Sequence, residues 1–78
     1  MARVRLFGPA RDEAGTGRDE IDGDDVAAVL DAACERYGPG FADVLRSSAV
    51  WLNGEEAPGD RRVMPGDELA VLPPVSGG

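Results

Sequence analysis

The chain has no histidine, no lysine and one cysteine, Cys34, in 78 residues. Each absence removes a class of chemistry. Without histidine there is neither the commonest general base near neutral pH nor the commonest metal ligand. A lone cysteine cannot close an internal disulfide or build a thiolate cluster for a metal or an iron–sulfur centre. No apolar run approaches the roughly 20 residues that cross a bilayer. The beginning, Met1-Ala2-Arg3-Val4-Arg5, lacks the apolar stretch of a secretory signal. These absences predict a cytoplasmic protein that binds no membrane. All basic residues are arginine, and fifteen acids against eight bases leave a net charge of −7. Such a chain repels nucleic acid phosphates and is attracted to a basic partner.

What is present fits an ordinary globular composition, with 42% apolar and 29% charged residues. A chain this short forms one small core, so residues 1–78 are read as a single domain. Residues 2–7 alternate with period two, as a half-buried strand does. Gly8-Pro9 stops that strand, and a polar segment through Gly15-Thr16-Gly17 leads to a weaker strand from Arg18 to Asp22, anchored only by Ile21. Asp25 is placed to cap a helix carrying Val26, Val29, Leu30, Ala33 and Tyr37 at spacings of three and four, which Gly38-Pro39-Gly40 ends. Phe41, Val44 and Leu45 mark a short helical turn. Ala49 to Leu52 reads as a strand before Asn53-Gly54, a pair that tolerates positive φ at both positions and signals a hairpin. Met64-Pro65-Gly66-Asp67 turns into a last strand, Glu68 to Leu72, which Pro73-Pro74 terminates. The order predicts an α+β domain, a mixed sheet with one main helix on one face.

Strand parity carries a functional expectation. If Val4, Leu6, Val50, Leu52, Leu69 and Val71 face the helix, then Phe7, Trp51, Ala70 and Leu72 lie on the opposite face, where no second helix is available. An uncovered aromatic and aliphatic group of this kind is a docking patch for a partner.

No catalytic constellation accompanies it. Asp22, Asp24 and Asp25 surround a helix start, where capping and the helix dipole explain them. Asp31 and Glu35 are outer-face charges of that helix. Ser47 and Ser48 have no base to activate them. Cys34 sits at the edge of the apolar stripe and reads as an inert thiol. The remaining candidate is the end of the chain. Pro73-Pro74 forms a stiff stem, and Val75-Ser76-Gly77-Gly78 is read as a flexible tail reaching about 13 Å at roughly 3.3 Å per residue. Glycine lets a channel close around the backbone and leaves the terminal carbonyl open to attack. The Gly78 carboxylate is itself unreactive, so a partner would have to activate it with ATP. Lacking lysine, the chain has no ε-amine to intercept its own acyl-adenylate; a composition bias toward arginine accounts for that absence equally. A frayed terminus without function is the plain alternative for any such ending.

The ending from Gly66 to Gly78, Gly-Asp-Glu-Leu-Ala-Val-Leu-Pro-Pro-Val-Ser-Gly-Gly, resembles that of the small subunit of molybdopterin synthase, a ubiquitin-like β-grasp sulfur carrier. Phe7 followed by Arg11-Asp12-Glu13-Ala14-Gly15 is similar to that family's exit from strand one, and Val50 to Gly54 is similar to its hairpin. The resemblance covers nearly the whole chain. It implies a β-grasp fold, no bound cofactor, and two partners: an E1-like adenylating enzyme that uses ATP, and the large synthase subunit. Gly78 would become a thiocarboxylate donating sulfur to a cyclic pterin precursor in molybdenum cofactor biosynthesis. Two carriers and a dimer of large subunits would form a heterotetramer, with the catalytic lysine and arginine on the large subunit. The implied site is Gly78, the tail residues Gly77, Ser76, Val75 and Pro74, and an interface of Phe7, Trp51, Ala70, Leu72 and Arg11. The chain departs from the pattern at Gly8-Pro9 and in the polar stretch Asp60 to Met64. A carrier for thiamine or cysteine synthesis, a ubiquitin-like protein modifier, and an interaction module with an inert tail are the competing readings.

Overall fold

The period-two segment forms β1 (Ala2–Leu6), with Ala2, Val4 and Leu6 each 1% exposed. In the computed structural model residues 1–73 are described; the predicted tail residues Pro74, Val75, Ser76, Gly77 and Gly78 lie outside the described residues. Following β1 are α1 (Gly8–Ala14), β2 (Arg18–Ile21), α2 (Val26–Tyr37), α3 (Pro39–Leu45), β3 (Ala49–Leu52), β4 (Glu55–Glu56) and β5 (Glu68–Leu72). The strands make one mixed sheet in the order β2-β1-β5-β3-β4. β1 and β5 run parallel at its centre, and the other pairs are antiparallel. The first and last strands are therefore neighbours, so the segment after Leu72 leaves from mid-sheet.

The helices share one face. Val26, Val29 and Ala33 of α2, Ala10 of α1 and Phe41 of α3 join Val4, Leu6, Ile21, Leu52, Leu69 and Val71 in one buried cluster. Phe41 is wholly buried, with the Tyr37 ring edge-on at 5.1 Å between centroids. The expected parity holds, although Val50 is only partly buried.

One feature differs from the expectation. Gly8-Pro9 does end the strand, but residues 8–14 are a helix and not a polar connection. Proline in the first turn loses no hydrogen bond there, because those amides have no helical partner anyway. Ala10 is the only buried side chain of α1, and Gly15, with φ 75°, caps its end. One buried alanine leaves no helical periodicity to detect. Gly8 itself has φ 56°, and a Cβ there would come within 3.0 Å of Pro73 Cγ. The exits of the two central strands are thus packed directly on each other.

β4 has two residues, and the chain from 57 to 67 is irregular, with the expected turn at Met64-Pro65-Gly66-Asp67. Its carbonyls serve the helix start instead: Val26 N–H donates to Arg61 O (3.0 Å) and Ala27 N–H to Gly59 O (2.8 Å). Asp25 Oδ1 accepts from Ala28 N–H at 2.8 Å, as the cap position predicted, an interaction that stabilises by about 1 kcal/mol. The polar stretch noted in Asp60 to Met64 contributes just Val63 to the core. Among the described residues no helix is long and apolar enough to cross a membrane.

Beside the sheet edge, the Tyr37 hydroxyl donates to Asp19 Oδ2, which also pairs with Arg36 at 2.8 Å. The hydrogen bond from Tyr37, then that from Arg36, holds the Asp19 carboxyl below its ordinary value. Burial, followed by the Asp19 contact, pushes the Tyr37 hydroxyl up to about 12. A lowered carboxylate stabilises the fold above the unfolded value of about 3.9, and the contribution is lost as pH falls through the folded value. A raised phenol acts oppositely, its contribution being lost as pH climbs from about 10 toward the folded value. Tyr37→Phe is therefore expected to cost about 1 kcal/mol at neutral pH. In urea unfolding repeated at acid pH, that cost should shrink as Asp19 is protonated and ceases to be a charged acceptor. An equal cost at both pH values would detach the hydroxyl from Asp19.

Candidate interaction surface on the open sheet face

On the face away from the helices, strand register sets the side chains in rows. Arg18, Arg5, Ala70, Trp51 and Glu56 are successive partners across β2, β1, β5, β3 and β4. Among the described residues no element covers this face. Phe7 remains 37% and Trp51 40% exposed, while Ala70 and Leu72 are half-buried between their neighbours. Phe7, Trp51, Ala70 and Leu72 line one groove of about 570 Å³, together with Ala49, Gly54, Glu68 and Pro73. Four residues chosen by parity alone are thus brought together. Ala49 belongs to the same parity set as Trp51 and was findable; Pro73 was not, since its place depends on how β5 ends beside Gly8.

The groove is apolar on one side and charged on the other. Arg5 Nη1 meets Glu68 Oε1 at 3.4 Å, and its guanidinium carbon lies 5.7 Å from the Phe7 ring centroid. The cation rests against the ring face, an attraction of about 0.5–1 kcal/mol at an exposed site. Arg11 does not line the groove. It borders a separate cleft with Arg5, Phe7, Gly17 and Arg18 that meets the groove at Phe7. Its side chain lies over Gly17, where a Cβ would come within 3.4 Å of Arg11 Nε.

The hairpin carrying Trp51 is tied to the start of β5. Asn53 has φ 51° and Gly54 φ 83°, as the Asn-Gly pair predicted. Asn53 Oδ1 accepts from Glu68 N–H at 2.9 Å, and Asn53 Nδ2 donates to Asp67 Oδ1 at 3.1 Å. Asp67 also accepts from Met64 N–H at 2.8 Å. That backbone bond, then Asn53, keeps the Asp67 carboxyl below its ordinary value. Trp51 is therefore presented by a braced turn. The wall of the groove is preformed, which lowers the entropy cost of binding there.

The other candidates have structural roles. Asp25 caps α2, and Asp22 Oδ1 lies 3.8 Å from the amino terminus. Ser47 and Ser48 hydroxyls both donate to Val44 O. Asp31 and Glu35 are exposed. Cys34 is partly buried, and burial, then the Asp31 charge, pushes its thiol up, which disfavours the nucleophilic thiolate. The predicted working group, Gly78, with Gly77, Ser76, Val75 and Pro74, lies outside the described residues.

Comparison with known proteins adds what geometry cannot. The ThiS family matches residues 4–78. Over 54 residues, 64% of this chain, the sequence is 37% identical to the molybdopterin synthase sulfur carrier subunit of Anopheles gambiae, and the match spans 56% of that relative. The crystal structure of SAMP1, a small archaeal modifier protein from Haloferax volcanii, superposes with a TM-score of 0.79 at 34% identity, covering 99% of this chain and 98% of that one. Subunits 1 and 2 of molybdopterin-converting factor from Helicobacter pylori have been solved as a protein–protein complex; a chain of it superposes with a TM-score of 0.71 at 28% identity, covering 99% of this chain and 97% of that one. The ubiquitin-like β-grasp architecture is common to all of these structures and to this one.

Proposed function

This chain belongs to the ThiS family, and from that premise we propose that it is a sulfur carrier whose Gly78 carboxylate is adenylated and converted to a thiocarboxylate. The observation that carries the reading is that the family match runs through the final Gly77-Gly78, while the described residues offer a binding face and no catalytic constellation. The groove residues would recognise the activating enzyme and the acceptor, and the segment after Pro73 would reach into their active sites. ATP belongs to the activating enzyme. The step is a substitution: the carboxylate oxygen attacks the α-phosphorus of ATP and pyrophosphate leaves, then a sulfur nucleophile supplied as a persulfide displaces AMP from the acyl carbon. Cleavage of the resulting acyl disulfide by a thiol reductant leaves the thiocarboxylate.

We further propose that the acceptor is a pterin precursor held by a large synthase subunit, in the cytoplasm. The Anopheles gambiae relative supports the acceptor assignment, as does the likeness to a chain solved in the Helicobacter pylori complex. Likeness to an archaeal modifier favours a second reading, conjugation to protein amines through the same activated Gly78. Intact mass spectrometry separates them. After incubation with ATP, a sulfur donor and the cognate E1-like enzyme, a carrier gains the mass of one oxygen-to-sulfur replacement. A modifier yields higher-mass adducts of other proteins, and an unchanged mass with no adducts overturns both.

The groove makes its own prediction. Trp51→Ala should leave the far-ultraviolet circular dichroism unchanged and weaken binding to the activating enzyme by about 30-fold, the loss of one hot-spot aromatic of about 2 kcal/mol. Calorimetric titration measures it. Unchanged affinity would place the docking surface elsewhere.

A further inference from the structure

The free edge of β2 is closed by side chains. In an antiparallel pair, residues alternate between those bonded to the partner strand and those whose N–H and C=O point away from it. Leu6 N–H donates to Gly17 O at 2.9 Å, which makes the alternate pairs Arg5↔Arg18 and Arg3↔Glu20 the non-bonded ones. Arg3 agrees, its N–H donating the other way to Asp67 O. The outward backbone groups of β2 are therefore those of Arg18 and Glu20.

All four have partners. Thr16 Oγ1 donates to Arg18 O at 2.9 Å and accepts from Arg18 N–H at 3.4 Å. Asp19 Oδ1 accepts from Glu20 N–H at 2.8 Å, and Arg36 Nη1 donates to Glu20 O at 3.2 Å. Arg36 is held there by its ion pair with Asp19. An edge with unpaired ladder groups is a template for another strand; here three side chains occupy that ladder.

The same edge is self-complementary. Two copies of β2 set antiparallel about Asp19 would put Arg18 opposite Glu20 of the second copy, and Glu20 opposite its Arg18. Both outward backbone pairs would then bond, and two opposite charges would face each other across the strands. Asp19 would meet Asp19 on the other face, which disfavours the pairing while both carboxylates are charged. At the opposite end of the sheet β4 offers only Glu55 and Glu56, both exposed, so a second copy meets repulsion there.

We propose that the free edge of β2 is a strand-pairing surface for a second copy of this chain, held shut by Thr16, Asp19 and Arg36. Closure reserves association for the sheet face and keeps the carrier from pairing with itself. This inference is independent of the sulfur chemistry.

The test uses the full chain with Thr16→Val and Asp19→Ala together, which removes three of the four contacts and the like-charge clash. Sedimentation equilibrium from low micromolar to millimolar concentration is expected to show the original chain at its monomer mass and the variant rising toward twice that mass. Amide hydrogen exchange should find Arg18 and Glu20 N–H protected in the original chain, unprotected in the dilute variant, and protected again once it dimerises. Adding Glu20→Arg, which sets like charges opposite, should return the variant to monomer mass. A folded variant that stays monomeric throughout, or an original chain whose Arg18 and Glu20 amides exchange freely, overturns the proposal. If circular dichroism shows the double variant unfolded, Thr16→Val with Asp19→Asn opens the Arg18 groups and removes the like-charge clash while keeping a partner for Tyr37, and the same two measurements decide.

Discussion

Deletion of Gly78 is expected to abolish sulfur loading and leave the unfolding midpoint unchanged. Every core residue among those described lies at or before Val71, so losing the last residue removes none of those contacts. The chemistry is far less tolerant. Truncation leaves a carboxylate on Gly77, drawn back by about 3.3–3.6 Å, whereas misplacement by about 1 Å already costs about a hundredfold in rate. Intact mass should show the replacement of oxygen by sulfur in the full chain and none in the truncated one. Gly78→Ala separates reach from bulk. It restores the length and adds one methyl beside the reacting carbonyl, so loading should be slowed and not lost. Equal loading of the truncated chain would remove Gly78 from its assigned role, whatever the acceptor.

Leu69→Ala should be among the most damaging single changes to the fold. Leu69 is wholly buried in β5, paired with Val4 on one side and Leu52 on the other, and β5 is the strand that both neighbours need. Emptying such a site costs about 3–5 kcal/mol, the removed methyl groups and the cavity together. A domain of this length is stable by only about 4–12 kcal/mol. The melting temperature should fall by more than about 10 °C, and Leu69→Met, which preserves volume, should lose less than about 1.5 kcal/mol. Chemical denaturation checks both. A loss below about 1 kcal/mol for the alanine variant would mean that the core can collapse around the gap. The variant should also fail with its partners, because β5 sets both the groove floor, through Ala70 and Leu72, and the point from which the segment after Pro73 departs.

These expectations differ in what they needed. Deleting Gly78 could be proposed from residues alone, since a carboxylate is a poor electrophile and acts only if another protein activates it. The importance of Leu69 was half legible. Alternation marked it as inward-facing, but pairing with Val4 and Leu52 joins residues far apart in the chain, and no local pattern states a register.

Local rules that depend on near neighbours were readable in advance. They include the alternation in β1, the spacing of α2 with its Asp25 cap, positive φ at Asn53 and Gly54, and the choice of Phe7, Trp51, Ala70 and Leu72 as one face. α1 escaped because a single buried alanine carries no period, and only packing against α3 and the central strands reveals it. Arg11, named with those four as an interface residue, lines the adjoining cleft beside Gly17. The residues alone thus settled most of the elements, the parity of the strands and the chemistry the chain lacks, because these follow from steric and hydrophobic preferences within a few residues. Only the tertiary structure decided that β1 and β5 are neighbours, that Gly8 packs on Pro73, and that Thr16, Asp19 and Arg36 close one edge. Those contacts join segments whose encounter depends on how the whole core packs.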